Sequence, residues 1–162
     1  MHRPAVGKRI AAAFATASLT GVLGLVGSAP AQAAAPEPLS FTVDFANTSF
    51  PQFPKLGGGF AGNGPALDSN GNQIGTVYDT CAVDGVENVT TADVICHVFV
   101  KFAGGDELDL STQAPVDVNP LDFPYTFNAV VQGGTGLYDG AQGEATIIAT
   151  KPHVYQVVVA FK

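Results

Sequence analysis

Gly133-Gly134-Thr135-Gly136-Leu137-Tyr138-Asp139-Gly140-Ala141-Gln142-Gly143 is followed by a β-branched run that ends near Phe161. Glycine at this density is not tolerated by a helix and not needed by an ordinary strand. Its spacing suits a tight crossing from one strand to the next, with Tyr138 fixing the turn. The structural role of the segment therefore falls on Gly133, Gly134, Gly136, Gly140 and Gly143. The run before it, Tyr125 to Gln132, and the two runs after it, Glu144 to Thr150 and His153 to Phe161, read as strands separated by a Lys151-Pro152 turn.

Working outward, the rest of the region reads the same way. Leu39 to Phe45 alternates, with Phe41, Val43 and Phe45 on one side. A loop rich in Pro and Gly leads into a strand near Phe60 to Leu67. Asp68-Ser69-Asn70-Gly71-Asn72 is a hairpin signal. Gln73 to Val83 is its return strand, and Ala92 to Phe102 is the strongest strand in the chain. Gly104-Gly105-Asp106 turns it into Glu107 to Thr112, and Ala114 to Pro124 reads as a Pro-punctuated loop. No window after the leader has helical periodicity. About eight strands in hairpin order close into an up-and-down barrel or fold as a sandwich. A barrel of that size can hold one small ligand.

The first 33 residues have the layout of a secretory signal. His2, Arg3, Lys8 and Arg9 form a basic start, Ala11 to Val26 is apolar, and Ala31-Gln32-Ala33 is a small-x-small cleavage site. The expected organisation is thus a signal over 1–33, a flexible leader over 34–40 and one β domain over 41–162, secreted to the extracellular space. Loss of Arg3, Lys8 and Arg9 cuts the seven Lys and Arg to four against 14 Asp and Glu, a net charge of −10. Nucleic acid is excluded as a partner by that surface, and so is an anionic membrane once the signal is gone. An even cysteine count in an exported chain suggests a disulfide between Cys81 and Cys96. No Cys or His cluster points to a metal, and no spacing points to a cofactor. There is no Gly-x-Ser-x-Gly elbow and no nucleophile–base pair at a familiar spacing. The glycine segment lacks the Lys-Ser/Thr ending and the following helix of a phosphate loop.

Ile74-Gly75-Thr76-Val77-Tyr78-Asp79-Thr80-Cys81-Ala82-Val83 resembles a strand of plant allene oxide cyclases, in which a cysteine faces the cavity. The Gly133 to Gly143 segment resembles both the cyclase signature and the Gly-Gly-Thr-Gly segment of dirigent proteins. Val154 to Phe161 suits the last strand of that superfamily. Secreted bacterial proteins with an allene oxide cyclase barrel-like domain are the nearest likeness. The resemblance implies an all-β, eight-stranded antiparallel up-and-down barrel, lipocalin-like in shape, with an apolar cavity and often a homotrimer. It implies no cofactor. Cyclases steer closure of an epoxide, and dirigent proteins steer the coupling of radicals made elsewhere, so orientation is the catalysis. The expected ligand is a small apolar or phenolic molecule. Where the cyclases carry a carboxylate on the first strand, the nearest polar residues here are Thr42 and Asp44.

The candidate catalytic residues are Asp44, Asp79, Cys81 and His97. Asp44 or Asp79 in the lumen could orient or protonate a guest, and His97 could exchange protons near neutral pH. Cys81 and Cys96 lie on consecutive strands. If they face each other, Asp79 pairs with Val98, Val77 with Val100 and Thr80 with His97. A disulfide and a free cavity thiol at Cys81 are then competing readings. Strand alternation puts Tyr78, His97, Phe99 and Lys101 on one face. If Gly104-Gly105 makes a two-residue turn, Leu108 and Leu110 join them. That face gives the candidate ligand-binding set Tyr78, Phe99, Lys101, Leu108 and Leu110. The opposite face holds Asp79, Cys81, Val98, Val100 and Asp109, and the cyclase likeness puts this one inward. His153 reads as a solvated turn residue. Three functions are open: a ligand-binding and ligand-steering barrel, a non-catalytic extracellular structural or interaction module, and a sandwich with a binding edge.

Overall fold

The computed structural model describes residues 35–45, 48–49, 55–117 and 119–162. The expected signal over 1–33 lies outside the described residues. The described residues are all-β, and their eight strands close into one antiparallel barrel in sequence order. They are β1 (Leu39–Asp44), β2 (Gly59–Leu67), β3 (Gln73–Val86), β4 (Thr91–Phe102), β5 (Glu107–Asp117), β6 (Tyr125–Thr135), β7 (Gly143–Lys151) and β8 (Val154–Phe161). Pairing of β1 with β8, from Leu39 opposite Val159 to Asp44 opposite Val154, seals the wall and excludes the sandwich.

Alternation explains the closure. Phe41 and Val43 on β1, Val77 and Val83 on β3, Val100 on β4 and Val157 and Val159 on β8 point inward and are buried. Their neighbours point to solvent. The glycine segment makes the β6–β7 connection through a 3-10 turn at Gly136–Tyr138. Gly136 has φ 62, and a Cβ there would run into the Asp106 carboxylate, which accepts the Leu137 N–H at 3.1 Å. A Cβ on Gly134 would run into the Glu107 carbonyl of β5. Glycine at these two positions brings the β6 backbone onto β5. Tyr138 is buried between Phe102 and Phe161, with ring centroids 5.2 and 5.6 Å away. This aromatic stack plugs one end of the barrel.

The structure extends β5 well beyond its expected end and changes one register. β5 runs on to Asp117 through Pro115, where a loop was expected. It pairs with β4 as far as Asp117 opposite Thr91, but its ladder to β6 ends at Ser111 opposite Val130. A proline is tolerated on a strand with one unpaired edge. The β4–β5 turn is one residue longer than the two-residue reading of Gly104-Gly105. Phe102 N–H bonds the Asp106 carbonyl, and Val100 lies opposite Leu108. A one-residue slip moves every side chain of a strand to the other face. Leu108 and Leu110 therefore point inward and Asp109 outward, opposite Phe99.

Two seams interrupt the wall toward the opposite end. Beyond Ser111, β5 and β6 are held together by side chains: Thr112 Oγ1 donates to the Asn128 carbonyl at 2.6 Å, and Tyr125 Oη accepts the Asp117 N–H at 3.0 Å. Among the described residues the β1–β2 ladder has two pairs, Thr42 with Leu67 and Val43 with Ala66. Along the rest of β2, Ser49 bonds Ala61 through both backbone and hydroxyl.

Candidate functional site

The sequence-derived register of β3 and β4 holds. Cys81 lies opposite Cys96, Asp79 opposite Val98, Val77 opposite Val100 and Thr80 opposite His97. The two cysteines form a disulfide with Cα atoms 4.1 Å apart. Cys81 thus has no thiol, and the free-nucleophile reading falls. Its face is the inward one, which carries Asp79 into the lumen.

A cavity of about 70 Å3 lies beside the disulfide. Its wall is mainly apolar and aromatic, with Phe45, Phe60, Phe127 and Tyr155 around the polar side chains of Thr48 and Asp79. Phe45 and Phe127 both meet Tyr155 edge-on, at 5.8 and 6.3 Å between centroids. Gly62 makes the room for the acid. A Cβ there would lie 2.5 Å from Thr48 Oγ1 and 2.6 Å from Asp79 Oδ1. Both oxygens are buried, and neither has a hydrogen-bond partner among the described residues. The other carboxylate oxygen of Asp79 lies 3.9 Å from Cys81 Sγ, which carries no hydrogen in the disulfide.

Burial pushes the Asp79 carboxyl up from its ordinary value, against smaller opposing pulls from the Gly62 N–H, its own N–H and the His153 charge. A carboxyl kept out of water prefers its neutral form. Burial likewise raises the Tyr155 hydroxyl, helped by neighbouring Tyr125 and Asp79. The site therefore offers a proton donor–acceptor in an apolar setting, with an aromatic wall to hold a guest. Residues with perturbed pKa in a cleft are candidate functional groups.

The other sequence candidates are dispersed. Asp44 alternates with the inward Val43 and Phe45 and so faces outward. His97 is on the outer wall, in a shallow hollow with Ile95 and Val130. Of the proposed ligand-binding set, Tyr78, Phe99 and Lys101 line an outer hollow with Glu107. Leu108 and Leu110 are core residues inside the barrel, packed away from the cavity. The parity of the Gly104-Gly105 turn is what parts them. His153, read from sequence as a solvated turn residue, is instead half-buried at the cavity with φ 64, a backbone conformation uncommon outside glycine. One site residue was not singled out from sequence. Thr48 sits in the long β1–β2 connection, where alternation gives no signal. Among the described residues, no group of three or more His, Cys, Asp or Glu could hold a metal ion, and no helix is long and apolar enough to cross a membrane.

Fold and site together define a closed eight-stranded barrel with a small acid-bearing aromatic cavity at one end. No family model matches the chain, and no curated protein matches it. Among solved structures it is similar to a pyocyanin demethylase, with a TM-score of 0.63 and 17% identity over 78% of this chain and all of that one. Likeness at that identity establishes the barrel fold alone.

Proposed function

We propose that this chain is an exported member of the allene oxide cyclase barrel-like and dirigent group. In this reading it binds a small apolar or aromatic molecule at its Asp79 end and steers that molecule's cyclisation or coupling. The observation that carries the reading is the pair of buried, unpartnered oxygens, Asp79 Oδ1 and Thr48 Oγ1, facing an otherwise apolar cavity. Leaving such groups unpaired costs stability, which a fold retains where a guest supplies the missing partner. The similar solved structure is named for demethylating pyocyanin, which fits a small-molecule role. The disulfide fits an oxidising compartment, and the signal layout of 1–33 supplies the export route. An isomerising cyclisation needs no co-reactant, because a proton lent by Asp79 to one atom of the guest returns to it from another. Exposed Tyr78, Ile95, Phe99 and Val130 on the outer wall support assembly into a homotrimer, which light scattering reads directly.

One observation favours the second reading, a structural or interaction module. The cavity of about 70 Å3 is far below the ~300–1,000 Å3 of ordinary small-molecule pockets. Native mass spectrometry of the exported protein against apolar and phenolic compounds decides between them. A retained guest whose yield falls in Asp79→Asn supports binding. A barrel that leaves every compound behind supports the module.

A further inference from the structure

The dimensions and charge of the cavity narrow the guest. At about 70 Å3 it exceeds the ~10–15 Å3 that a cavity needs to hold one water molecule. It falls short of the ~150 Å3 that an engineered apolar cavity needs to take up benzene. A compact polar head fits, while a whole ring does not. The two oxygens waiting there, Asp79 Oδ1 and Thr48 Oγ1, call for a hydrogen-bond donor. No Lys or Arg is among the described residues lining the cavity, and the His153 charge acts on the carboxylate more weakly than burial does.

We propose that the Asp79 pocket receives a protonated nitrogen, so that the guest is a small aromatic or aliphatic amine bound head-first as its ammonium ion. This deepens the guest-binding reading and rests on it. An ammonium head carries several donors for Asp79 and Thr48, and it adds to the small compensation that the His153 charge gives the buried carboxylate. The surrounding rings of Phe45, Phe60, Phe127 and Tyr155 attract a cation through their faces but do nothing comparable for an anion. A carboxylate guest would set two like charges together in a poorly hydrated space. The net charge of −10 beyond the signal draws cations toward the barrel and repels anions. Burial raises the Asp79 pKa by more than the His153 charge lowers it, and an ammonium guest would add to that lowering.

The test is calorimetric titration of the exported protein at pH 8 with benzylammonium chloride, benzyl alcohol, p-cresol and sodium benzoate. Benzylammonium is expected to bind at least tenfold more tightly than benzyl alcohol or p-cresol, with benzoate weakest. In Asp79→Asn the benzylammonium affinity should drop tenfold or more, and that of benzyl alcohol less than threefold. Benzyl alcohol or p-cresol binding as tightly as benzylammonium overturns the ammonium assignment and leaves the guest-binding reading standing. Failure of all four probes to bind overturns both. The ranking in the unaltered protein decides the matter even if the variant folds poorly.

Discussion

The two ends of the barrel are built from the same eight strands and held in different ways. At one end Leu108, Val100, Val159 and Ala145 are completely buried, and the Phe102–Tyr138–Phe161 stack closes the opening. Here β5 and β6 share a ladder, and the glycine segment lets the backbones touch. At the other end the β5–β6 and β1–β2 ladders stop short, side chains fasten the β5–β6 seam, and two buried oxygens beside the cavity go unpaired. The contrast teaches that stability and chemistry are spatially separated. The packed end supplies the free energy that lets the hollow end keep an unpaired acid facing its cavity, whereas the unpaired oxygen of Asp109 lies on the outer wall away from it.

The comparison can be broken most directly by truncating the packed end. Leu108→Ala should cost ~3–5 kcal/mol in denaturant unfolding, because nothing nearby can collapse into the space. Phe127→Leu, at the cavity wall, should cost only ~1 kcal/mol. Equal losses at the two sites would erase the distinction. Next comes the disulfide, which joins positions 15 residues apart and should contribute ~3 kcal/mol, read as the drop in unfolding midpoint of the Cys81→Ala, Cys96→Ala double variant. Tyr125→Phe removes the acceptor for the Asp117 N–H and should cost ~1 kcal/mol. Faster amide exchange confined to Thr112–Asp117 would place that loss at the seam.

The smallest effect carries the opposite sign. Burial raises the Asp79 pKa above the ordinary 3.8, so the folded state holds that proton more tightly than the unfolded state does. Ionised Asp79 therefore costs stability in full above its raised folded value, and the cost disappears below the unfolded value. Asp79→Asn should stabilise the protein by ~0.5–1 kcal/mol at pH 7. The gain should vanish when both proteins are unfolded at pH 3. A variant that destabilises equally at both pH values would show Asp79 to be a structural residue.

Much of this architecture was legible in the chain because strand signals are local. Alternation from Phe41 to Phe45 and the Asn70-Gly71 turn each specify their own element. The cysteine pair then fixed the β3–β4 register, and with it the partner of every residue from Gly75 to Val83. What could not be read depended on single-residue parity and on distant neighbours. The Gly104-Gly105 turn differs by one residue from the shortest reading, and that alone moves Leu108 and Leu110 from the face of Phe99 to the interior. Pro115 looked like a strand breaker because nothing local reveals that the edge beside it is unpaired. Asp79 was a candidate, but its burial depends on Gly62 of another strand, and Thr48 and His153 reach it from connections without periodicity.

The seam between β5 and β6 bears on how fast molecules could come and go. A wall stitched by an unbroken ladder would have to unzip many backbone pairs before a gap appeared, and traffic would be as slow as unfolding. Beyond Ser111 the described wall is fastened by two clasps, Thr112 on Asn128 and Tyr125 on Asp117. Releasing a pair of side chains is a far smaller event than opening the sheet, so the interior could exchange its contents many times within the lifetime of one folded molecule.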